Sequence, residues 1–411
     1  MRLTTCLVLV PRDQTVRLTT CLVDDVSGSI SVDARRVFAY TGVMSGGKMG
    51  ATEGDAVATS MSRSRSNVVR HALNTLMLLS VFIGAVQAVS YAALRIDWRL
   101  VPLSQTLYYG FLIAGIGFCF VNLVRLDIRN DIRNARMISR ALVALIVLAL
   151  MFDVLFVAET PLSSNFILQF VLVTGYQMRN DPNLDRHNPQ EDGFKGLIPL
   201  SFFNLFWIFV ICSIAGLSIE TVVSFFRDGQ WESRAGFVFG PLSPIYGVGC
   251  VLITAALNRL HARRAIVQFL VAGIAGASFE YFAGWFFEAA FGIVAWSYEG
   301  QPFNFLGHTS LLMAGVWGAI GVLWMRFALP AIMSLIDRIP LRARTPLTMA
   351  ATIVVLADAV LTVVCLDCWY LRKLGNPAET PWQQFCTQYF DDEFMQSRFE
   401  TMSMWPSLSD R

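Results

Sequence analysis

Long apolar runs separated by short polar loops make up most of the chain after residue 66. Each of eight runs has about the number of residues, roughly 20, that a helix needs to cross a ~30 Å hydrocarbon core. They lie at residues 73–94, 102–124, 141–158, 198–222, 242–258, 265–287, 306–325 and 347–366. A ninth segment, residues 162–177, is shorter and ambiguous. The pattern predicts an all-α fold, a polytopic membrane helical bundle with about 8–9 transmembrane helices.

Composition supports the same class of protein. The chain is 55% hydrophobic and 15% charged, with a mean hydropathy of +0.53, whereas soluble domains carry about 25% charged residues. We therefore expect the lipid bilayer as its surroundings. Its net charge of +2 is spread over the loops between the runs, so we expect no nucleic-acid partner.

The distribution of basic residues decides whether residues 162–177 cross the membrane. Lysine and arginine near span ends favour the cytoplasmic side. If the segment crosses, seventeen basic residues near span ends lie inside and six outside; if it does not, the numbers are twelve and eleven. The six outside are Arg95, Arg99, Arg227, Arg234, Arg372 and Lys373. The asymmetry predicts nine spans, with the N-terminus cytoplasmic and the C-terminus outside.

The chain divides into five parts by composition. Residues 1–66, which contain RLTTCLV twice, at Arg2–Val8 and Arg17–Val23, are expected to be a disordered extension or the product of a wrongly chosen start codon. Residues 67–196 are expected to form the N-terminal transmembrane helices and cytoplasmic loops, and residues 197–330 the core. Residues 331–366 hold the last transmembrane helix, and residues 367–411 form an extracytoplasmic C-terminal tail.

Two stretches of the core are nearly alike, IAGLSIE at Ile214–Glu220 and IAGASFE at Ile274–Glu280. Each is followed by an aromatic helix end, a loop with a tryptophan, a proline-bearing turn and a glycine-rich helix beginning at Tyr246 or Trp317. This order predicts a parallel duplicated helical hairpin at the core of the bundle, related by an axis along the membrane normal. Convergence from similar hydropathy is the alternative.

Each copy places a glutamate inside an apolar helix, where an unpaired charge is unfavourable by roughly 2.5–3.5 kcal/mol. Gly216 precedes Glu220 by four residues, and Gly276, Glu280 and Gly284 share the same spacing, so each set lies along one helix face. Glycines on that face let other helices approach, and we expect both carboxylates to face protein. Packing, binding of a cation or proton, and contact with a polar headgroup or substrate remain open as their role.

Three further residues join the glutamates as candidates for binding substrate or ions. Asp358 lies in the middle of the last span, His308 begins a span, and Tyr246 heads the glycine-rich helix of the first hairpin. The sequence contains no metal-ligand spacing, phosphate loop or nucleophile elbow, so we predict no enzyme, no metal and no cofactor. Cys365, Cys368 and Cys386 fall on the outer side, where a disulfide can persist; a structural disulfide and free thiols remain open.

Four ordered motifs resemble one family. They are GPLSPIYGVG at Gly240–Gly249, EYFAGWFFEAAFG at Glu280–Gly292, WSYEGQPFNFLG at Trp296–Gly307 and WGAIG at Trp317–Gly321. Over about Phe202–Pro330 the chain resembles the bacterial membrane proteins called putative ABC-transporter type IV, or ABC-transporter permease-like. The resemblance implies a permease of the bacterial cell membrane. Because the chain has no nucleotide-binding domain, a separate ATPase subunit would be its partner.

One detail disagrees with that partner. Importer permeases dock their ATPase through a cytoplasmic EAA loop, and Glu288-Ala289-Ala290 fits its first residues. Gly292 comes too early for that motif, and the charge distribution places the segment outside.

Three functions follow from these observations. The first is a permease or transporter component that moves an unidentified small solute or ion past Glu220 and Glu280. The alternative is a non-transporting membrane scaffold or assembly protein whose buried glutamates are structural. The third, an enzyme acting on lipid-borne substrates with the carboxylates as acid and base, is the least favoured.

Overall fold

The computed structural model describes residues 2–9, 16–23, 68–84, 103–156, 162–180, 198–234 and 236–409. The chain divides into two compact units, residues 1–69 and residues 70–411. In the first unit β1 (Arg2–Leu9) pairs with β2 (Val16–Val23) in antiparallel register, with Arg2 opposite Val23 and Leu9 opposite Val16. The two RLTTCLV copies therefore pair with each other. The rest of the predicted extension, up to residue 66, lies outside the described residues.

Helices make up most of the described chain, and one lies on each of the nine predicted segments. They are α1 (Val68–Gly84), α2 (Leu103–Ile128), α3 (Ile132–Phe156), α4 (Leu162–Arg179), α5 (Phe202–Asp228), α6 (Pro244–Leu257), α7 (Ala265–Phe291), α8 (Leu311–Leu323), α9 (Leu329–Asp337) and α10 (Leu341–Lys373). A π-helical turn at Trp324–Ala328 joins α8 to α9. The two helices therefore form one continuous helical segment.

Among the described residues, six helical segments are long and apolar enough to cross a membrane: Gly110–Ile128, Ile132–Met151, Phe202–Arg227, Ala265–Phe291, Leu311–Asp337 and Leu341–Lys373. The helices at Val68–Gly84 and Pro244–Leu260 are apolar but shorter. The chain thus has the helical membrane fold expected from its hydropathy, while the predicted count of 8–9 transmembrane helices stays a prediction.

Local signals set the ends of the helices that carry the two glutamates. Ser201 caps α5 by accepting the Asn204 N–H at 3.3 Å. Gly229 ends α5 with φ +72°, and Gly292 ends α7 with φ +61°, a left-handed conformation that glycine adopts without a Cβ clash. Both glutamate helices therefore stop abruptly and release a loop at the same end of the bundle.

Two of three apolar cores in the described part of the chain lie within the helical bundle. One lies among α1, α2, α3 and α4 and includes Leu78, Leu123, Ile146 and Val173. The other joins α5, α6, α7 and α9 around Ile208, Leu257, Ala272 and Leu329. Within the second core α5 pairs with α6, α7 pairs with α8, and α6 packs against α7. The two glutamate hairpins, α5–α6 and α7–α8, consequently lie side by side.

The C-terminal residues form a folded cap on the bundle. After α10 come α11 (Pro381–Tyr389), α12 (Asp392–Arg398) and the short strand β6 (Ser403–Met404), which pairs with β3 (Ile293–Val294) directly after α7. A third core packs cap residues Met395 and Phe399 against Phe291 and Trp369. We call the end where α5, α7 and α10 finish the capped end, and residues 374–409 the cap.

Candidate functional site

Glu220 of α5 lies in a cluster with Arg234 and Tyr246. Its Oε1 accepts a 2.7 Å hydrogen bond from Nη1 of Arg234, and its Oε2 accepts one from the Tyr246 hydroxyl. Nη2 of Arg234 donates to Oε2 of Glu232 at 2.6 Å. Burial alone would lower the pKa of Arg234, but the hydrogen bonds and charges of Glu220 and Glu232 outweigh burial and raise that pKa. A permanent cation from the loop after α5 is therefore attached to Glu220.

Glu280 of α7 has a different set of partners. It is 7% exposed, its Oε1 accepts a 2.8 Å hydrogen bond from the Tyr298 hydroxyl, and its Oε2 accepts one of 2.9 Å from Oγ1 of Thr309. Both partners lie in the loop between α7 and α8 and both are neutral. The second glutamate thus fastens its loop through uncharged donors, whereas the first does so through an ion pair.

The two clusters are within electrostatic reach of one another. Burial is the main reason that the pKa of Tyr298 is raised, and the charge and hydrogen bond of Glu280 add to it; the charge of Glu220 raises the same pKa further. The Tyr298 side chain therefore interacts electrostatically with both carboxylates. The capped ends of the two hairpins form one polar region.

Hydrogen bonds within the loop between α7 and α8 hold the partners of Glu280 in place. Tyr298 N–H donates to the Gly307 carbonyl at 2.8 Å, and Nε1 of Trp296 donates to the His308 carbonyl at 2.9 Å. Between them β4 (Asn304–Phe305) pairs with β5 (Thr309–Ser310), and Phe303 and Leu306 have positive φ angles of 55° and 50°. These turns use five residues of the predicted span 306–325, so α8 begins only at Leu311, capped by Ser310.

The same close contacts occur in both hairpins. A side chain added at Gly216 would meet the ring of Tyr246, and one added at Gly276 would meet the ring of Trp317. One step along the partner helix, a Cβ at Gly247 would lie 2.6 Å from the Phe209 carbonyl oxygen, and a Cβ at Gly318 would lie 2.8 Å from that of Phe269. The glycines near the glutamates therefore lie against protein, as their spacing predicts.

Asp358 lies on α10 and holds the loop of the first hairpin. Its Oδ1 accepts the Phe239 N–H at 3.1 Å, and one turn further Oγ1 of Thr362 accepts the Val238 N–H at 2.9 Å. Arg398 of the cap reaches the same loop: burial lowers the pKa of Arg398, and the charge of Asp358 opposes this. Asp358 is thus placed beside a cap arginine, and its hydrogen bond goes to the loop and to neither glutamate.

A cavity of about 420 Å³ lies where this loop meets the cap. Glu232, Ser233 and Arg234 line it from the hairpin side, and Arg398 lines it from the cap. Nε of Arg398 donates to the Phe237 carbonyl at 2.9 Å and Nη2 donates to the Gly240 carbonyl at 2.6 Å. The cavity is therefore lined by the arginine that pairs with Glu220 and by the arginine that feels the charge of Asp358.

His308 belongs to a second cavity, of about 590 Å³, at the capped end of the other hairpin. Its Nε2 lies 3.9 Å from Oε2 of Glu288, and its ring meets the edge of Tyr281 at 5.4 Å between centroids. Glu299 also lines this cavity. The predicted candidate His308 thus lies beside Glu288, and the partners of Glu280 are other residues.

Of the five predicted candidates, Glu220 and Tyr246 are the two that are hydrogen-bonded to each other. Arg234, Tyr298, Thr309 and Arg398 belong to the same polar region and were missed. In the sequence Arg234 stands out only as a basic residue of an outer loop, and Tyr298 only as part of the WSYEG motif. Within the described part of the chain no group of three or more histidine, cysteine, aspartate or glutamate residues could hold a metal ion.

These features define the class: a helical membrane protein with a core of two adjacent hairpins, each closed at one end by a glutamate on its first helix. Residues 207–363 match the model of the family described as Putative ABC-transporter type IV. The match confirms the resemblance carried by the four motifs. It covers both hairpins and extends to Asp358, and it ends before the cap. No curated protein and no solved structure matches the chain.

Proposed function

We propose that the chain is the membrane-embedded component of a transporter for a small cationic solute or ion, and that Glu220 and Glu280 close the path at the capped end. One arrangement carries this proposal: in two adjacent hairpins, a carboxylate on the first helix holds the loop that crosses the same end. Opening such a path requires these contacts to break, and a passing cation can replace Arg234 or the neutral donors as a partner of the carboxylates.

The proposal includes a duplicated hairpin within a bundle of nine spans. Phe209, Gly216 and Glu220 of α5 correspond to Phe269, Gly276 and Glu280 of α7, sixty residues later. The partner helices correspond through Tyr246 with Trp317 and through Gly247 with Gly318, and the equivalent glycines make equivalent contacts. In many transporters the substrate site lies at the interface between two structural repeats, and these repeats can be parallel, as the two hairpins would be.

The orientation is part of the proposal. The seventeen-to-six distribution of basic residues supports a cytoplasmic N-terminus and a capped end on the outer side of a bacterial cell membrane. A separate ATPase would then bind the opposite end. Ala289 and Ala290 of the EAA-like segment are 4% and 0% exposed beneath the cap, and the Ala289 carbonyl accepts a hydrogen bond from Oγ of Ser409. This segment is therefore closed to an ATPase, and the proposal assigns the chain no catalysis of its own.

Transport into native membrane vesicles tests the proposal while any partner subunit is still present. Vesicles with and without the chain are given inorganic cations and small amines, with either internal ATP or a proton gradient as the energy source. We expect saturable uptake of at least one cation only where the chain is present, and a loss of about tenfold or more in Glu280→Gln. Ser278→Ala, two residues away on another helix face, is the matched control. Wild-type vesicles that take up none of these cations overturn the proposal.

A second function, a non-transporting scaffold, is favoured by one observation. All four carboxylate oxygens of Glu220 and Glu280 already have a protein partner, which is the arrangement of a purely structural contact. The two functions differ in the variants. A scaffold predicts that Glu280→Gln lowers the yield of folded protein and that wild type shows no uptake, whereas a transporter predicts folded protein with impaired uptake.

A further inference from the structure

Three cysteine side chains meet at the junction of α10 and the cap. Cys365 and Cys368 lie three residues apart on one face of α10, and Cys386 lies on α11. They are 1%, 4% and 0% exposed. The Sγ atoms of Cys365 and Cys386 are 3.9 Å apart. Two elements separated by a turn thus bring three thiols into one buried cluster.

Other contacts fix this approach independently of the sulfur atoms. Nε of Arg372 donates to Oδ1 of Asp392 at 2.7 Å, and Nη2 of Arg372 donates to the Phe390 carbonyl at 2.9 Å. A capping box between Thr380 and Gln383 sets the start of α11. The cap is therefore held against the end of α10 with Cys386 facing its partners.

The chemistry of the cluster favours a bond between sulfur atoms. A disulfide has an S–S distance of about 2.05 Å, and the Sγ atoms of Cys365 and Cys386, 3.9 Å apart, are already neighbours across the junction. Hydrogen bonds from Cys365 and Cys368 lower the pKa of Cys386, and the thiolate is the form that attacks a disulfide. Among the described residues, these thiols do not belong to a group of side chains that could hold a metal ion.

We propose that Cys386 forms a disulfide with Cys365, with Cys368 as the alternative partner, and that this bond ties the cap to the last transmembrane helix. The inference rests on the proposed outer location of the cap, where disulfides persist, and is independent of what the protein transports.

The bond forms by thiol–disulfide exchange with an oxidised protein or small-molecule disulfide. The Cys386 thiolate attacks that disulfide and releases one thiol; Cys365 then attacks the mixed disulfide and releases the second. Two thiols of the chain are oxidised, two electrons and two protons pass to the oxidant, and the oxidant leaves as two thiols. Since the closed cluster is buried, exchange takes place while the cap folds. Closing a loop of this size favours the docked cap on the order of a hundredfold.

Mass spectrometry of the full chain tests the bond. Intact cells are treated with N-ethylmaleimide to block free thiols, and the protein is purified and digested without reductant. We expect the peptide holding Cys365 and Cys368 to be joined to the one holding Cys386, and the joined species to be two hydrogens lighter than the free pair. Cys365→Ser is expected to move the bond to Cys368, and Cys386→Ser to abolish it.

Cys212 and Cys250 provide an internal control, because they are neighbours between α5 and α6 and lie within apolar helices. We expect both to be alkylated after denaturation, as free thiols are. Reductant is expected to speed proteolysis of the cap in wild type and to have no effect in Cys386→Ser. Full alkylation of all three cysteines after denaturation, with no joined peptide in the protein from intact cells, overturns the proposal.

Discussion

The hydroxyl of Tyr298 donates a 2.8 Å hydrogen bond to Oε1 of Glu280 and thereby connects the loop after α7 to a carboxylate eleven residues inside that helix. The phenol also feels the charge of Glu220 on the neighbouring hairpin. Tyr298 therefore experiences the charges of both glutamates. Its protonation state links the stability of the capped end to pH.

This link gives a measurable pH dependence. In the unfolded chain a tyrosine loses its proton near pH 10, whereas burial and Glu280 keep Tyr298 protonated to higher pH in the folded protein. Above pH 10 the unfolded state binds fewer protons, so the free energy of unfolding falls as pH rises, by at most about 1.4 kcal/mol per pH unit from this group.

Tyr298→Phe removes the titrating hydroxyl and retains the ring. We expect the variant to be less stable than wild type at neutral pH by about 1.5–3 kcal/mol, the usual contribution of a hydrogen bond to a charged group. The difference should shrink above pH 10. Thermal unfolding in detergent from pH 7 to 11 measures it, with Tyr281→Phe as the control. A difference that does not change with pH would show that Tyr298 acts through packing alone.

The ion pair of Arg234 with Glu220 is expected to contribute modestly, because their side chains are 15% and 31% exposed. A double-mutant cycle with Arg234→Gln and Glu220→Gln should give a coupling free energy of about 1 kcal/mol, and high salt should reduce it. Glu232 stays beside Arg234 in the single variant, so Glu232→Gln paired with Arg234→Gln serves as a second cycle. Additivity of the Arg234 and Glu220 effects would show that the pair does not stabilise the loop.

The helices were predictable because their signal is local. A run of about 20 apolar residues defines a helix without reference to the rest of the chain, and every predicted run does contain one. The cap was not predicted, because its core is completed by residues of α7 and α10. Cys386 and Phe399 are buried in a core that they share with Phe291 and Cys365. The pattern of apolar residues within residues 367–411 does not predict a contact with helices so far away in the sequence.

The partners of the glutamates were unpredictable for a related reason. Arg234, Tyr298 and Thr309 reach their carboxylates from 14, 18 and 29 residues away, across loops whose paths depend on single backbone angles. Phe303 and Leu306 adopt positive φ although neither is a residue type that signals such a turn. The glycine spacing in the sequence therefore places the glutamates on a protein-facing surface, but it does not identify the residues that bind them.

Alanine substitutions at the close helix contacts test the correspondence of the hairpins. A Cβ at Gly247 or Gly318 would press on a backbone carbonyl oxygen at 2.6 or 2.8 Å, so each variant should lose about 1–3 kcal/mol of stability. Gly315, also on α8, has no atom within 4 Å of an added Cβ, and its alanine variant should be unchanged or more stable by up to about 1 kcal/mol. Equal stability of all three variants would contradict the contacts.

Arg398 is expected to hold the cap on the first hairpin. Its guanidinium donates to the Phe237 and Gly240 carbonyls, and Arg398→Gln leaves both acceptors without that charged donor, a loss of about 1.5–3 kcal/mol. Hydrogen exchange should therefore become faster in residues 236–240 as well as in the cap. Ser397→Ala, which removes only a bond to the Phe394 carbonyl within α12, should leave residues 236–240 unchanged. If Arg398→Gln accelerates exchange in α12 alone, the cap is held by its apolar core and Cys386, and the arginine has no part in closing the hairpin.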